Sequence, residues 1–529
     1  MTSETLVALF HSAPSMHEFS CADSIIRYKV FECSSSTTND LVMKGMLTAD
    51  ADDCDIISVS IGSDTGYHNS LMSMVADRIG QDRTIVIAAG NSGETGVFYA
   101  SSPASGRQAI AVGSTNSKQV LGWPATLQSS SGDVLDLVYV TVDGSKLNDS
   151  VNTQVTVGAS DSCNYGASGN NDEALLLPRG ICYGQGYNTL STSGFGYVIM
   201  WDTYDQGFYY PTEEFSPSED IHLWAVTNSS VGTWAIDQIS RGYALNLTIT
   251  EDADTAVFQS DRPNSGEMSY FSSWGPTFEN DFSPSISAPG GAVYGCFPGN
   301  EFAISSGTSF STPYIAGVAA LFYAHVKKDH VEFSQRLHTT ATSLVTSPNG
   351  KNVMGIASLA QQGAGMVDAV KLLGYSTVVT SDSKISLNDT DNRISTHRVT
   401  LVNNGAIEVT YNISHESAVT IEARDQWWYP NTYYPPVIAG ASGSILAPDS
   451  ITIGPGATGD IDVTFAPPDN VLNSTFGPLW SGKVLFGGDN GELVSVPYMG
   501  VEVSTYNWTP LEGAPLAFRY DNVDGYLYP

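Results

Sequence analysis

The stretch DIISVSIGSDTGYHNSLMSMVADRIGQDRTIVIAAGNSG, residues 55–93, reads as strand, helix, strand. DIISVSI and TIVIAAG are nearly continuous runs of β-branched and apolar residues, too apolar for strands with one wet face. Between them, SLMSMVADRIGQD sets Leu71, Met74, Val75 and Ile79 at three- and four-residue spacing, which predicts one apolar face of a helix. Two such strands joined by such a helix predict a parallel sheet covered on both sides. The pattern extends outward in both directions. Upstream, IIRYKVF (25–31) reads as a strand, and DLVMKGMLTADADD (40–53) as a helix with Leu41, Val42, Gly45, Met46 and Ala49 inward. Downstream, QAIAVGS (108–114) reads as a further strand. From Ile25 to Val112 the chain is α/β.

The rhythm changes near residue 120. Residues 120–256 carry short strands, many Gly and Tyr, and Cys163 and Cys182, which reads as an insertion. The α/β pattern returns in residues 257–374 and closes with QQGAGMVDAVKLLG (361–374). From 375 onward HRVTLVNN, VTYNISH, VTIEA, GDIDVTFAPP, SGKVLFGG and LVSVPYMG alternate with period two between Gly- and Asn-rich turns, the pattern of an antiparallel β-sandwich.

Length and composition bound the function. At 529 residues the chain exceeds one ordinary core. With 22 Lys+Arg against 55 Asp+Glu the formal charge is -33, a field that repels nucleic acid and anionic lipid. No run of apolar residues is long enough to span a bilayer, and the N-terminus has no signal-peptide pattern. The six cysteines at 21, 33, 54, 163, 182 and 296 show no zinc spacing, so no metal ligands are assigned. Sequons at Asn148, Asn228, Asn246, Asn388, Asn412, Asn473 and Asn507 point to an oxidising export route and an extracellular protein. The one disulfide suggested is Cys163 with Cys182, both within the insertion. Oligomeric state carries no signal.

The chemistry gathers at FAISSGTSFSTPYIAGVAALF, residues 302–322. A purely structural reading is open: Thr312 and Pro313 start a helix, and Ser309 is a turn residue ahead of it. The fuller string G-T-S-x-x-x-P-x-x-A-G asks for more. Gly307 lets backbone approach a substrate, Ser309 lies where a helix N-terminus stabilises negative charge, and Ala316 and Gly317 permit close helix packing.

That string resembles the nucleophile motif of the subtilisin-like serine proteases. TIVIAAGNSG matches the segment of that family ending in A-A-G-N, which implies Asn91 as the side-chain donor to the oxyanion, with Ala89 and Gly90 beside it in the substrate-binding set. DIISVSIG resembles the substrate-lining strand, which implies that Ser60, Ile61 and Gly62 pair with an extended peptide. FSSWGPT (271–277), ISAPGG (286–291) and QGAGMVDA (362–369) match in the family's order. The insertion resembles a protease-associated domain through LLLPRGICYGQGYNTLSTSGFGYVIMWD, and the C-terminal part resembles a fibronectin type III-like module. The resemblance implies four segments: 1–119 and 257–374 forming the core, 120–256 the α+β insertion, and 375–529 the sandwich. It implies acyl-enzyme hydrolysis of polypeptides through Ser309. Calcium is common in the family, but no ligands can be named.

A serine hydroxyl needs a histidine to take its proton and an aspartate to hold that histidine. The family draws these from D-[ST]-G at a strand end and H-G-T-H at a helix start. None of the nine histidines precedes a glycine. The D-T-G at Asp64–Gly66, with His68 near it, follows the substrate-lining strand and reads as a surface turn. The sequence therefore predicts an incomplete doubly wound core that starts after the catalytic helix, with the inner sheet edge left open. His11 and His17 fall in an unmatched leader. Two functions follow as expectations: a peptidase whose base is missing from this chain, or a non-catalytic secreted binding protein.

Overall fold

Alternation within single strands shows how the core is built. Ile85 and Ile87 enter one buried cluster with helices α1 (Asn39–Ala51) and α2 (Leu71–Gly80), while Val86 enters a second cluster on the opposite face. Ala109 and Ala111 join the first cluster, and Ile110 and Val112 the second. Strands buried on both faces read as nearly continuous apolar runs, and TIVIA is buried at all five positions with Thr84 as its one polar residue. The computed structural model describes residues 6–8, 25–31, 37–117, 120–141, 147, 149–158, 169–179, 194–202, 221–251, 257–259, 266–297, 301–346, 355–425, 431–432, 434–471, 475–507, 519–520 and 527–528.

In chain order the first part holds β1 (Leu6–Ala8), β2 (Arg27–Lys29), β3 (Ile56–Val59), β4 (Ser63–Asp64), β5 (Thr84–Ala88), β6 (Ser101–Ser102) and β7 (Ile110–Asn116), with α1 after β2 and α2 after β4. Then β8 (Val120–Ser129), β9 (Val134–Thr141), β10 (Val151–Val157), β11 (Ala174–Arg179), β12 (Tyr197–Asp202), β13 (Leu223–Thr227), α3 (Ser229–Ser240), β14 (Leu245–Ile249) and β15 (Val257–Gln259) follow. The chain returns through β16 (Ile286–Gly291), β17 (Val293–Phe297), β18 (Glu301–Ser305), α4 (Thr308–His325) and α5 (His330–Thr339). The main sheet has the order β16-β7-β5-β3-β1-β2. β16, β7, β5 and β3 run parallel, with Ile286 opposite Val112, Val86 opposite Ile110 and Ile57 opposite Ile85.

Three expectations are corrected here. IIRYKVF yields only the three-residue β2, antiparallel and mostly exposed, because Arg27 and Lys29 face water there. The edge of β3 is not open: β1 covers it antiparallel, Val7 opposite Val59 and Ala8 opposite Ser58. In α2 the expected stripe is out of phase. Leu71 and Met74 are exposed, whereas Met72, Ser73, Ala76 and Ile79 are buried. The buried Ser73 hydroxyl lies 2.9 Å from those of Ser102 and Ser105, so a polar network fixes this helix face.

Strands β8 to β14 close on themselves. The ladder runs β14-β10-β11-β12-β13-β9-β8, and β14 pairs again with β8, making a ring of seven strands with β15 added beside β8. Its cluster includes Leu127, Tyr139, Leu176, Ile199, Ala225 and Leu247, with Ala235 of α3 against it. The two ends of this excursion meet. Asn116 N–H donates to the Glu267 carbonyl at 2.8 Å, and Gly266 N–H donates to the Asn116 carbonyl at 2.9 Å. Cys163 and Cys182 lie outside the described residues, and Cys54 is a buried free thiol.

The C-terminal part adds β19 (Thr377–Val379), β20 (Ile385–Asn388), β21 (Thr396–Asn403), β22 (Val409–Ser417), β23 (Ser444–Leu446), β24 (Ser450–Ile453), β25 (Thr458–Ala466), β26 (Pro478–Gly488) and β27 (Leu493–Val501). One sheet runs β19-β21-β25-β23, and the other β20-β27-β26-β22-β24. All pairings among these strands are antiparallel except β20 with β27, which is parallel. Both sheets feed one cluster, with Leu401 and Phe465 from the first and Tyr411, Trp480 and Val496 from the second.

This unit is bonded to the core. Leu359 N–H donates to Ser481 Oγ at 3.1 Å, and Lys483 Nζ donates to the Ala341 carbonyl at 3.1 Å. Lys483 is 1% exposed, and burial pulls its amine down to about 8. At the N-terminus of α5, Asp329 accepts from Val331 N–H at 3.1 Å and Glu332 N–H at 3.0 Å. Asp329→Ala is expected to lower unfolding free energy by about 1 kcal/mol, read by denaturant titration, because two helix N–H groups lose their acceptor.

Candidate active site

Ser309 lies in the first turn of α4, an 18-residue helix whose N-cap is Gly307. The purely structural alternative, a helix starting at Thr312-Pro313, does not hold. The helix begins at Thr308, Pro313 lies inside it, and the Thr312 hydroxyl donates to the Thr308 carbonyl at 2.8 Å. The half-buried Ser309 hydroxyl therefore faces the positive end of the helix. Behind it Ile315, Ala316, Val318 and Ala319 are buried against the parallel sheet, which the small alanines let the helix approach.

Asn91 follows the C-terminal end of β5 through Ala89 and Gly90. Its Oδ1 accepts from Thr308 N–H at 2.9 Å and from Thr308 Oγ1 at 2.8 Å, while Gly90 N–H donates to Thr308 Oγ1 at 3.3 Å. Both donors fix the amide plane, so Nδ2 is turned the other way. A Cβ placed on Gly307 would lie 3.5 Å from that Nδ2. Gly90 has φ of +109°, and a side chain there would meet Ser273 Oγ at 2.6 Å. Ala89 N–H donates to Val112 at 3.0 Å, its carbonyl accepts from Ser101 at 3.2 Å, and the Gly90 carbonyl accepts from Ser273 at 3.0 Å. The backbone of Ala89 and Gly90 is thus engaged internally.

Ser60 faces Ser309 directly. Its Oγ donates to the Ser309 carbonyl at 2.8 Å, and the Ser309 hydroxyl donates to the Ser60 carbonyl at 3.2 Å. The β3–β5 ladder ends at Val59 opposite Ile87, and the β4–β6 ladder starts at Ser63 opposite Ser102. Residues 60–62 lie outside both ladders; Ser60 is bonded to Ser309, and Gly62 packs against Ser101 and Ser102.

The described histidines are placed elsewhere. His68 Nδ1 sits 3.0 Å from Glu279, His330 contacts the Gln81 carbonyl at 2.8 Å, and His338 contacts Ser383 at 2.9 Å. His397 contacts the Ile394 carbonyl at 2.9 Å, and His415 contacts the Tyr498 hydroxyl at 2.7 Å. Burial pulls His338 and His415 below the ordinary imidazole range. Among the described residues no histidine is hydrogen-bonded to Ser309; His11 and His17 lie outside them. Asp64 accepts from the Ser92 hydroxyl. No group of three or more His, Cys, Asp or Glu suited to a metal occurs among the described residues, and no described helix is long and apolar enough to cross a membrane.

Sequence reasoning assigned no role to Thr308 or to Ser273. Thr308 stands inside the G-T-S string, where its second hydrogen bond to Asn91 is a property of the fold. Ser273 accepts from Ser92 N–H at 3.0 Å through Oγ and thereby braces the residue after Asn91.

A family model described as the Subtilase family matches residues 21–365, and one described as an Fn3-like domain matches residues 385–499. The PIII-type proteinase of Lactococcus lactis subsp. cremoris (strain SK11) is 25% identical over 536 residues, 90% of this chain and 26% of its own length. The C5a peptidase of Streptococcus pyogenes serotype M3 (strain ATCC BAA-595 / MGAS315) is 28% identical over 351 residues, 63% of this chain and 27% of its own length. The chain spans about a quarter of the length of these curated relatives. The crystal structure of the psychrophilic subtilisin-like protease Apa1 from Pseudoalteromonas sp. AS-11 aligns with TM-score 0.37 and 14% identity, covering 66% of this chain and 76% of that one.

Proposed function

This chain belongs to the subtilase family, and from that premise we propose that Ser309 and Asn91 are the nucleophile and oxyanion donor of a serine endopeptidase site for polypeptides. The observation that carries it is the Thr308 clamp on Asn91 Oδ1, which leaves Nδ2 free beside the helix terminus holding Ser309. A substrate carbonyl attacked by Ser309 Oγ would develop negative charge where Nδ2 and the first helical N–H groups can meet it. Residues 60–62 would pair with the peptide as an added strand, and Ala89 and Gly90 would hold Asn91 in place. We assign 1–119 and 257–374 to the catalytic core, 120–256 to a protease-associated-like insertion and 375–529 to a fibronectin type III-like sandwich. The sequons support an extracellular setting; Asn246, Asn412 and Asn507 are exposed.

Among the described residues no base is hydrogen-bonded to Ser309; its hydroxyl donates to the Ser60 carbonyl. With no described histidine on Ser309, this chain alone is expected to hydrolyse peptides no faster than about 10^3- to 10^4-fold over water. Treatment with a fluorophosphonate is expected to give a slow adduct on Ser309 that added imidazole accelerates and Ser309→Ala abolishes. An adduct that persists in Ser309→Ala, or that imidazole leaves unchanged, would overturn the assignment.

The second reading is a non-catalytic polypeptide-binding protein. The observation favouring it is that the Ser309 hydroxyl is occupied by the Ser60 carbonyl and not by a base. Saturable peptide binding unaltered by Ser309→Ala, together with no adduct even in imidazole, would select it.

A further inference from the structure

Pro313 stands four residues after Ser309, inside α4. In an α-helix the carbonyl of residue 309 would accept from the N–H of residue 313, but proline has none, and its ring crowds the carbonyl four residues back. The nucleophile's own peptide carbonyl is therefore left without its helical donor. A side chain 249 positions away in sequence takes up that carbonyl: Ser60 Oγ donates to it at 2.8 Å.

We propose that Ser60 is a positioning residue: its hydroxyl replaces the helix N–H that Pro313 removes and thereby sets the backbone of Ser309 against residues 60–62. The pairing is reciprocal, since the Ser309 hydroxyl in turn donates to the Ser60 carbonyl at 3.2 Å. The side chain of Ser60 acts on the position of Ser309, while its carbonyl belongs to the segment 60–62 outside both ladders. One residue thus ties the height of the nucleophile to the strand on which a peptide would lie. A peptide amide bonding to the Ser60 carbonyl would compete with the Ser309 hydroxyl for it and favour release of the nucleophile. This inference rests on Ser309 being the nucleophile; the hydrogen-bond replacement itself does not.

The test is a double-variant cycle on the full chain with Ser60→Ala, Pro313→Ala and the pair, plus Ser60→Thr. Ser60→Ala keeps the carbonyl and removes the hydroxyl, and Pro313→Ala returns the missing N–H. Ser60→Ala is expected to slow imidazole-supported phosphonylation of Ser309 about tenfold. Ser60→Thr should stay near the parent rate, and adding Pro313→Ala to Ser60→Ala should restore most of it. The thermal midpoint should fall by about 2 °C in Ser60→Ala and show no such fall when Ser60→Ala is made in the Pro313→Ala chain. Equal losses in both backgrounds, or no loss in either, would overturn the proposal. If the parent chain gives no Ser309 adduct, the nucleophile assignment falls, and the midpoint cycle decides separately whether Ser60 replaces the lost donor.

Discussion

Asn91→Asp will slow imidazole-supported acylation of Ser309 about 100- to 1000-fold while leaving the fold intact. The substitution separates two jobs that one amide performs. Oδ1 accepts from Thr308 N–H and Oγ1 at 2.9 and 2.8 Å, and a carboxylate oxygen at that position accepts both. Nδ2 is the donor toward the reacting carbonyl, and in the aspartate it becomes a charged acceptor beside a developing anion. Asn91→Ala is expected to lose the same rate and also stability, because the Thr308 N–H at the start of α4 is left without its acceptor. Rates come from mass-spectrometric time courses of the adduct, and stability from thermal midpoints. A rate for Asn91→Asp within a few-fold of the parent would remove Asn91 from the oxyanion site.

The second large effect concerns pH. Lys483 is buried where the C-terminal sheets meet the core, and burial pulls its amine down from 10.5 to about 8. A base with a depressed folded pKa binds fewer protons folded than unfolded between those two values, so unfolding free energy rises with pH across that window. Below about 8 both states carry the proton, and the folded state bears the full cost of a buried ammonium. The expected gain from neutral pH to the top of the window is about 3 kcal/mol, from the size of the shift. Lys384, half-buried with its Nζ 3.1 Å from Ser285 Oγ and likewise lowered by desolvation to about 8, acts in the same direction. Lys483→Met should raise stability at neutral pH by about 2 kcal/mol and flatten the profile, because the apolar side chain fills the stem's volume without a charge. Urea titrations at a series of pH values read both effects. A profile that falls between neutral pH and the upper limit in the parent chain would contradict the buried-ammonium account.

The parts of the fold that could be read were those where one physical rule decides. Residues 56–59, 84–88 and 109–112 are buried at every position and mostly apolar because both faces of the sheet are covered, which is the composition expected of a buried parallel strand. Most of the stripe on α1 was legible: Val42, Gly45, Met46 and Ala49 bury, while Leu41 is only half-buried. The phase of α2 was not, since small polar Ser73 packs inward on Ser102 and Ser105 while Leu71 and Met74 face water. Hydropathy spacing cannot register a buried hydroxyl network. β1 was missed because three residues, paired antiparallel between β3 and β2, carry no periodicity. At the site, the motif strings pointed to Ser309 and Asn91, and the fold brings both to Thr308. The bracing by Thr308, Ser273 and Ser60 involves partners far apart in sequence, so no local pattern announces it. The start of α4 had two readings because Thr312-Pro313 imitates a cap, whereas Gly307 opens the helix and Pro313 falls within it.

The clasp at Asn116 and Glu267 means that the seven-stranded ring is attached to the sheet as a cassette. Both of its leads leave from one spot between neighbouring strands, so the register of β7 against β16 does not depend on what is threaded between them. Changing the size of such a loop costs only about 0.6 kcal/mol for each doubling of its length. Lineages could therefore exchange, enlarge or trim this cassette without recasting the helix that presents Ser309, and a graft from another family member need match only the spacing of its two leads.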